Sequence, residues 1–332
     1  MIKVYGITDG LLTQLDPATI GGPAALWIDL DSPSKDEEAR VEAALSIDIP
    51  TREDMQEIEM SSRLYQTDRA QFLTAQVLAT RDAATTEIGP VTFVVLPHCL
   101  VTVHYHSPGS FTHFAKWAAS NAIAPRDGTG MLLYLLESVV DRLADVLEGE
   151  ARKLDHLSAA IFAAHRPRGK GETLAVVLQR IGRAEDMNGK VSESLSTLHR
   201  LSGFLATSPL LKAGKKLARG GDAPAITDRA LHKTLQLDLA SLREVADTQS
   251  TKIRFQLDAT LGVINIRQSD VVKIFSVVAF VFLPPTLIAS VYGMNFAFMP
   301  ELQWRWGYPM AVGLMLLSAV IPAVIFRWKK WL

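Results

Sequence analysis

Two apolar stretches near the end of the chain constrain its fold more than any other feature. Ile274–Tyr292 and Tyr308–Phe326 each contain 19 residues without a charged side chain. A helix of that length spans roughly 28 Å, about the thickness of the hydrocarbon core of a bilayer. A core helix of a soluble protein normally shows a polar face, which both stretches lack. The sequence therefore predicts two transmembrane helices joined by a short segment, 293–307.

Charged and aromatic residues at the ends of these stretches predict their orientation. Basic residues stand on one side: Arg267, Lys273, Arg327, Lys329 and Lys330. The joining segment holds one base, Arg305, and one acid, Glu301. Because basic flanks stay in the cytoplasm, we expect a multi-pass protein of the cell membrane with both termini inside. The N-terminus shows no signal-peptide pattern. Aromatic residues suited to the lipid interface are Tyr292, Trp304, Trp306, Tyr308, Trp328 and Trp331.

Long helices are predicted ahead of the membrane. Apolar residues at spacings of three and four indicate one helix from Met131 to about Ala164 and another ending near Leu205. A loop rich in Gly, Lys and Pro follows at 208–224. From Ala225 to Tyr292 a single helix would have 68 residues and a length of roughly 100 Å. No compact domain can house such a helix, so we expect it to continue into the first membrane span.

The sequence pattern of the N-terminal part is typical of a mixed α/β domain. Strands are predicted at Ala25–Leu30, Thr92–Leu96 and Leu100–His104, and a helix after Pro50 with Thr51 as its cap and Asp54 closing a capping box. The fold class is thus α+β, with a cytoplasmic α/β domain, a long helical stalk and two transmembrane helices. The predicted division is 1–127 (cytoplasmic α/β domain), 128–273 (cytoplasmic helical and stalk region), 274–292 (first span), 293–307 (external loop), 308–326 (second span) and 327–332 (basic cytoplasmic tail).

Composition excludes several function classes. Lys and Arg number 34 against 35 Asp and Glu, which gives no indication of a nucleic-acid partner. One cysteine, Cys99, fits a reducing compartment. No phosphate-binding loop or nucleophile motif is present, so neither an enzyme nor an ATP-driven pump is predicted. His98, His104 and His106 lie near Cys99, but without further ligands we interpret them as structural. The basic loop 165–171 is interpreted as solvated or close to lipid.

A water-filled path cannot be enclosed by two spans, so any pore requires several identical subunits. One face of the first span carries small or hydroxylated residues, with the opposite face formed by Val277, Phe280, Val281, Leu287 and Ile288. The first face comprises Ser269, Val272, Ser276, Ala279, Leu283, Thr286, Ser290 and Gly293. Such residues suit a pore wall, although they also allow helices to pack closely. Apolar rings at Phe275 and Leu283 could close a pore by dewetting. Pro284-Pro285 is consistent with either a wet pore or a simple kink.

The segment after the first span carries the most specific pattern. Tyr292-Gly-Met-Asn295 and Met299-Pro-Glu-Leu302 resemble the YGMN…MPEL signature of the CorA family of magnesium and cobalt transporters. The resemblance extends to Lys273–Val278, Phe282–Thr286, Trp306–Pro309 and Arg327–Leu332, and in the N-terminal part to Pro50–Arg52 and Glu57–Glu59.

The resemblance implies a funnel-shaped homopentamer in the lipid bilayer that takes up Mg²⁺, often with Co²⁺ or Ni²⁺. It implies that Gly293, Met294 and Asn295 form the selectivity filter, with Asn295 facing the hydrated ion, and that Phe275 and Leu283 form the constriction. It also implies closure by cytoplasmic Mg²⁺ bound to acidic groups. Asp258 matches an acidic position of some relatives, while Asp238, Asp247 and Asp270 are weaker candidates.

Two departures from the family pattern concern ion preference. Ala297 stands where the family often has Glu, which leaves Glu301 as the acid at the external mouth, and Ser269 stands where it often has Asn. Zn²⁺ transport by the same superfamily therefore stays open as an alternative. A two-span signalling receptor is the alternative from another class, but the 15 residues of 293–307 leave little room for an external sensing domain.

Overall fold

The computed structural model describes residues 1–82, 85–163, 173–212, 216–219, 226–294 and 299–329. Its strands are β1 Ile2–Thr8, β2 Leu11–Leu15, β3 Trp27–Asp31, β4 Leu64–Gln66, β5 Gln71–Asp82, β6 Thr85–Val95, β7 Leu100–His104, β8 Ile123–Ala124, β9 Lys216–Arg219 and β10 Ile226–Thr227. Its helices are α1 Lys35–Leu45, α2 Arg52–Gln56, α3 Met60–Arg63, α4 Gly109–Ala118, α5 Gly128–Ala163, α6 Leu174–Thr207, α7 Pro209–Lys212, α8 Asp228–Tyr292 and α9 Gly307–Trp328.

The chain divides into two compact units. The first comprises Met1–Ala160 and Ala175–Gln256, and the second comprises Ile161–Leu174 and Leu257–Leu332. Helix α8 begins in the first unit and ends in the second. The domain boundaries expected from the sequence stay a prediction, because these units are defined by compactness and not by the position of a membrane.

A seven-stranded sheet in the order β2-β1-β3-β7-β6-β5-β4 forms the centre of the first unit. Only β3 and β7 pair in parallel, with Trp27 opposite Leu100 and Asp31 opposite His104, and every other pair is antiparallel. These two central strands are buried along nearly their whole length. One face of these strands is apolar, while Asp29, Thr102 and His104 are buried polar residues on the other face.

Both faces of the sheet are covered, and alternate residues of each strand point to opposite cores. One core places Trp27, Phe93 and Leu100 against α4, α5, α6 and α8. The other core places Ile28, Val94 and Val101 beside residues of α1 and α2. The first unit is therefore a three-layer arrangement of helices, sheet and helices, which confirms the α+β class.

The helix predictions are confirmed, with small shifts at the ends. Helices α5 and α6 match the two predicted before residue 208, and α8 has 65 residues in place of the expected 68. The capping box at α2 is present, because Thr51 Oγ1 accepts from the Asp54 N–H at 3.2 Å and Asp54 Oδ2 accepts from the Thr51 N–H at 2.9 Å.

The loop prediction for 208–224 is wrong in part. Helix α7 and strand β9 lie there, and β9 pairs with β8 and β10.

Gly128, the first residue of α5, lies against the polypeptide backbone. A Cβ at this position would overlap the carbonyl oxygens of Cys99 and Leu96.

Cys99 itself is buried, and burial raises the pKa of its thiol to about 12. The cysteine is therefore a small apolar core residue without thiolate reactivity at neutral pH.

Buried side-chain amides join α8 to its neighbours in the first unit. Gln249 Nε2 donates to the carbonyl oxygen of Leu147 at 2.8 Å, and Gln256 Nε2 donates to that of Leu154 at 2.8 Å. Asn188 Nδ2 on α6 donates to the carbonyl oxygen of Ala246 at 3.0 Å. These amides could not be singled out from the sequence, because their partners are backbone atoms.

Candidate functional site

Helix α9 and the C-terminal part of α8 are long and apolar enough to cross a membrane. In each, only 6% of the most apolar 18-residue window is buried. A core helix of a soluble protein would be mostly buried. The apolar surface of these helices is therefore available for lipid or for another subunit, as predicted for membrane spans.

The predicted pore face lies on the exposed side of α8. Counted at roughly 100° per residue, its members and Phe275 fall within an arc of about 120° of the helix surface. All of them are exposed except Ser276, which is half-buried. Phe275 and Leu283 are 71% and 64% exposed, so the two residues predicted to form the constriction are uncovered in a single chain.

The opposite side of the span is the more buried one. Val277 is 5% exposed, and Val281 and Ile288 are half-buried. Ala311 and Gly307 of α9 are buried, and the rings of Phe280 and Phe326 lie 5.8 Å apart. Phe280 and Leu287 differ from this pattern, because both are exposed although they were assigned to the opposite face. The second span thus packs away from the predicted pore face.

Two hydroxyl groups of the pore face are tied to their own helix. Ser276 Oγ donates to the carbonyl oxygen of Val272 at 2.9 Å, and Thr286 Oγ1 donates to those of Phe282 at 2.8 Å and Leu283 at 2.9 Å. A hydroxyl that donates its hydrogen to the backbone keeps its lone pairs for another donor. These oxygens can therefore accept hydrogen bonds from water molecules around a cation.

Pro284 and Pro285 lie inside α8, and the helix continues through them. Because proline has no N–H, the carbonyl oxygens of Phe280 and Val281 lose their usual donors four residues ahead. Both prolines are half-buried on the side of the helix that carries Val281 and Ile288. The two carbonyl oxygens without a backbone donor therefore lie near the more buried face of the span.

The end of α8 holds the first two residues of the Gly-Met-Asn motif. The N–H of Gly293 donates to the carbonyl oxygen of Ala289 at 2.9 Å, and a Cβ at Gly293 would lie 3.0 Å from that same oxygen. A side chain at this position would therefore lie in tight contact with the last turn of the helix. Met294 is exposed, while Asn295 and Ala297 lie outside the described residues, as do the basic loop 165–171 and Lys330.

The acidic candidates on α8 are all exposed, namely Asp238, Asp247, Asp258 and Asp270. Asp270 lies 3.4 Å from Lys273 Nζ. Within the described ranges, no three His, Cys, Asp or Glu side chains are grouped to hold a metal ion. The metal contact at Asp258 stays a prediction.

His104 belongs to a buried polar network. The Trp27 Nε1–H donates to Thr102 Oγ1 at 2.9 Å, and the Thr102 hydroxyl donates to Asp29 Oδ1 at 2.7 Å. His104 Nε2 lies 3.0 Å from the same Asp29 oxygen, and Nδ1 lies 2.5 Å from the carbonyl oxygen of His106. Both ring nitrogens thus face oxygen atoms, an arrangement that favours the protonated imidazolium, which donates from both nitrogens.

Burial has the largest effect on the pKa of His104 and lowers it. The hydrogen bond to Asp29 and the charge of Asp29 raise it, and together they outweigh burial, so the pKa of His104 is raised. A raised pKa in the folded state stabilises the fold fully below the unfolded pKa of roughly 6.5, and this stability is lost as pH rises through the folded pKa. We expect the melting temperature of the full-length protein to fall over that interval, and His104→Gln to remove this part of the pH dependence. Thermal unfolding in detergent at several pH values measures it, with the exposed His113→Gln on α4 as control. An unchanged pH slope in His104→Gln would contradict the assignment.

Comparison with known proteins identifies the family. The family model described as "CorA-like Mg2+ transporter protein" matches residues 23–330. The magnesium transport protein CorA of Escherichia coli K12 is 32% identical over 333 residues, with both chains covered completely. The corresponding protein of Haemophilus influenzae is 30% identical over 332 residues, again with complete coverage of both.

Among solved structures, the complete CorA magnesium transporter of Methanocaldococcus jannaschii matches 100% of this chain and 99% of its own, with a TM-score of 0.78 at 18% identity. That likeness supports the fold. Together with the sequence match along the whole length, it shows that the chain belongs to the CorA family.

Proposed function

We propose that this protein carries Mg²⁺ into the cell as a homo-oligomeric channel, with α8 of each subunit lining a shared pore. The observation that carries the proposal is the exposed face of α8, which turns small and hydroxylated residues away from α9 and leads to Gly293 and Met294. A single chain leaves this face uncovered. Copies of the same helix around an axis would cover it, and a homopentamer is the arrangement that the family resemblance implies.

Hydrated Mg²⁺ is the species that such a pore suits. Mg²⁺ gives up its water reluctantly, so a filter of neutral oxygens can hold the ion together with its hydration shell. We assign this role to a ring of Asn295 amides, with Gly293 and Met294 forming the rest of the filter and Glu301 drawing cations to the external mouth. Two charges that cross about 100 mV gain roughly 4.6 kcal/mol, which is sufficient for uptake without ATP.

The choice of Mg²⁺ over Zn²⁺ is supported by the relatives of 30–32% identity, which are named magnesium transport proteins. Co²⁺ and Ni²⁺ are proposed as additional substrates. Regulation by cytoplasmic Mg²⁺ is proposed through Asp258 and acidic groups of a neighbouring subunit. The basic flanks support the assignment of both termini to the cytoplasm.

The test is uptake into liposomes that contain the purified protein. With equal metal concentrations on both sides and an inside-negative potential, we expect Mg²⁺ influx that exceeds Zn²⁺ influx and falls when the potential is removed. Zn²⁺ influx above Mg²⁺ influx would assign the protein to the zinc alternative. Absence of any metal influx from correctly oligomerised protein would overturn the channel proposal.

The hydroxyl of Thr286 provides a finer test in the same assay. Thr286→Val keeps the shape of the side chain but removes one acceptor per subunit, and each lost hydrogen bond is worth about 1 kcal/mol. We expect Mg²⁺ influx to fall about tenfold. Ser318 on α9 also donates to its own helix, to the carbonyl oxygen of Met315 at 2.8 Å, so Ser318→Ala is the matched control. Equal influx in Thr286→Val and wild type would contradict a role for this oxygen in the pore.

A further inference from the structure

A cleft in the first unit lies between the central sheet and α4. It has a volume of about 500 Å³, which is within the range of small-molecule sites. Strands β1, β2, β3 and β7 form its floor, and α4 forms one wall. All of its lining residues lie between Lys3 and Ala119, so the cleft belongs to one compact unit and shares no residue with the predicted pore face.

The strand register gathers side chains of both charges on the floor of the cleft. Lys3 of β1 lies opposite Asp29 of β3, and Asp31 of β3 lies opposite His104 of β7. Residues directly opposite each other, and residues two apart on one strand, share a face of the sheet. Lys116 of α4 lines the same cleft from the wall. Carboxylates and ammonium groups therefore border one small space.

Asp29 keeps one carboxylate oxygen available for a ligand. The residue is 4% exposed, and its hydrogen bonds with Thr102 and His104 both end on Oδ1. Within the described ranges, no hydrogen bond reaches Oδ2. Buried polar atoms are normally hydrogen-bonded, and a carboxylate oxygen accepts only. A donor supplied from the cleft would complete the hydrogen bonding of Asp29.

The acids of the floor outnumber the base between them. His104 Nε2 lies 3.0 Å from Asp29 Oδ1, and His104 Nδ1 lies 3.8 Å from Asp31 Oδ1. One imidazolium balances one of the two carboxylates, and Asp31 is half-buried, so a ligand can reach it. Burial and then the charge of Asp29 raise the pKa of Tyr5, a further lining residue. The negative potential of the floor therefore extends over the Tyr5 ring, and a cation is favoured there.

The two lysines of the lining can serve an anionic group. Among the described residues, neither Lys3 nor Lys116 forms an ion pair. Lys3 is half-buried and Lys116 is exposed, and a flexible four-carbon stem carries each ammonium group. Cβ atoms of directly opposite residues are about 5 Å apart, so Lys3 and Asp29 offer their opposite charges at close range. That separation suits a ligand whose own opposite charges are attached to one carbon atom.

We propose that this cleft binds a small zwitterion of the α-amino acid class. The ammonium group of the ligand donates to Asp29 Oδ2 and to the carboxylate of Asp31, and its carboxylate accepts from Lys3 and Lys116. The half-buried ring of Tyr5 receives part of the ligand's side chain. The site is separate from ion conduction, so a failure of this proposal leaves the channel proposal intact.

Isothermal titration of the full-length protein in detergent tests the site, with glycine and L-phenylalanine as the smallest probe and a large one. Methylamine and 2-phenylethylamine are the analogues without the carboxylate, and acetate and 3-phenylpropionate are those without the ammonium group. We expect at least one of the two amino acids to bind, and both of its analogues to bind about tenfold more weakly or worse, because each loses charge-assisted hydrogen bonds. Undetectable binding of both amino acids would overturn the proposal. An amine that binds as tightly as its amino acid would overturn the role of the lysines.

Two variants locate the binding in the cleft without disturbing the buried network of Asp29. Asp31→Asn keeps the shape of the side chain, removes its charge and should raise the Kd for the amino acid about tenfold. Lys3→Gln should weaken binding of the amino acid to the level of its amine analogue. The matched control is Asp9→Asn, since Asp9 is exposed, lies outside the cleft and has a φ of 53°, which asparagine readily adopts. Melting temperatures close to that of the control establish that the variants are folded, and wild-type affinity in either folded variant would overturn the assignment.

Discussion

Asn295→Ala is expected to reduce Mg²⁺ influx on the order of a hundredfold in the liposome assay. In an oligomer the change removes a whole ring of amide oxygens from the external mouth. If each oxygen accepts a hydrogen bond worth about 1 kcal/mol from the hydration shell, the loss over several subunits exceeds the roughly 2.7 kcal/mol that a hundredfold effect requires. The expectation follows from the family motif, because Asn295 lies outside the described residues.

The control for this variant is Gln303→Ala, which removes an exposed amide from the same segment without touching the motif. It should leave influx near the wild-type value. Size-exclusion chromatography of both variants must give the wild-type oligomer, so that a loss of flux reports on the filter and not on assembly. Wild-type influx in Asn295→Ala would remove the basis for the filter assignment.

Leu283→Ala is expected to raise Mg²⁺ leak through the closed protein by roughly tenfold. Leu283 is exposed on the predicted pore face, one residue before the proline pair. A ring of leucine side chains around a narrow axis excludes water, and a shorter side chain widens and wets the constriction. Leak is measured with Mg²⁺ present on the cytoplasmic side, the condition that the family resemblance associates with closure.

Leu316→Ala on α9 is the matched control for Leu283→Ala, because Leu316 has nearly the same exposure, 62% against 64%, but lies on the second span. It should not change the leak. If the two variants behave alike, the leak reflects general loosening of the membrane region. A closed state unaltered by Leu283→Ala would argue against closure by dewetting.

The membrane part of the fold could be predicted from the sequence because its determinants are local. Length and the absence of charge define Ile274–Tyr292 and Tyr308–Phe326, and the structure places helices over both. The face of α8 that turns away from α9 could also be predicted, since a period of 3.6 residues places Ser269, Ala279 and Leu283 together. Leu287 was misassigned although the same count places it five full turns after Ser269 and therefore on the same side of the helix.

The sheet was less predictable, since its strands are defined by distant partners. Strands β1 and β2 were not predicted, although they form one edge of the sheet through pairs such as Val4 with Leu15. The network at His104 was likewise beyond sequence reasoning. Asp29 and His104 are 75 residues apart in the chain, and only the parallel pairing of β3 with β7 brings them together.

The amides of Gln249 and Gln256 limit how α8 can move. Their acceptors on α5, Leu147 and Leu154, are also seven residues apart, so the two hydrogen bonds hold α5 and α8 in one register. A slip of half a helical turn, about 2.7 Å, would move both amides away from their carbonyl acceptors at once. Each stranded buried group would cost about 1–3 kcal/mol. A displacement of α8 along its own axis must therefore carry α5 with it, and the two helices move as one rigid element.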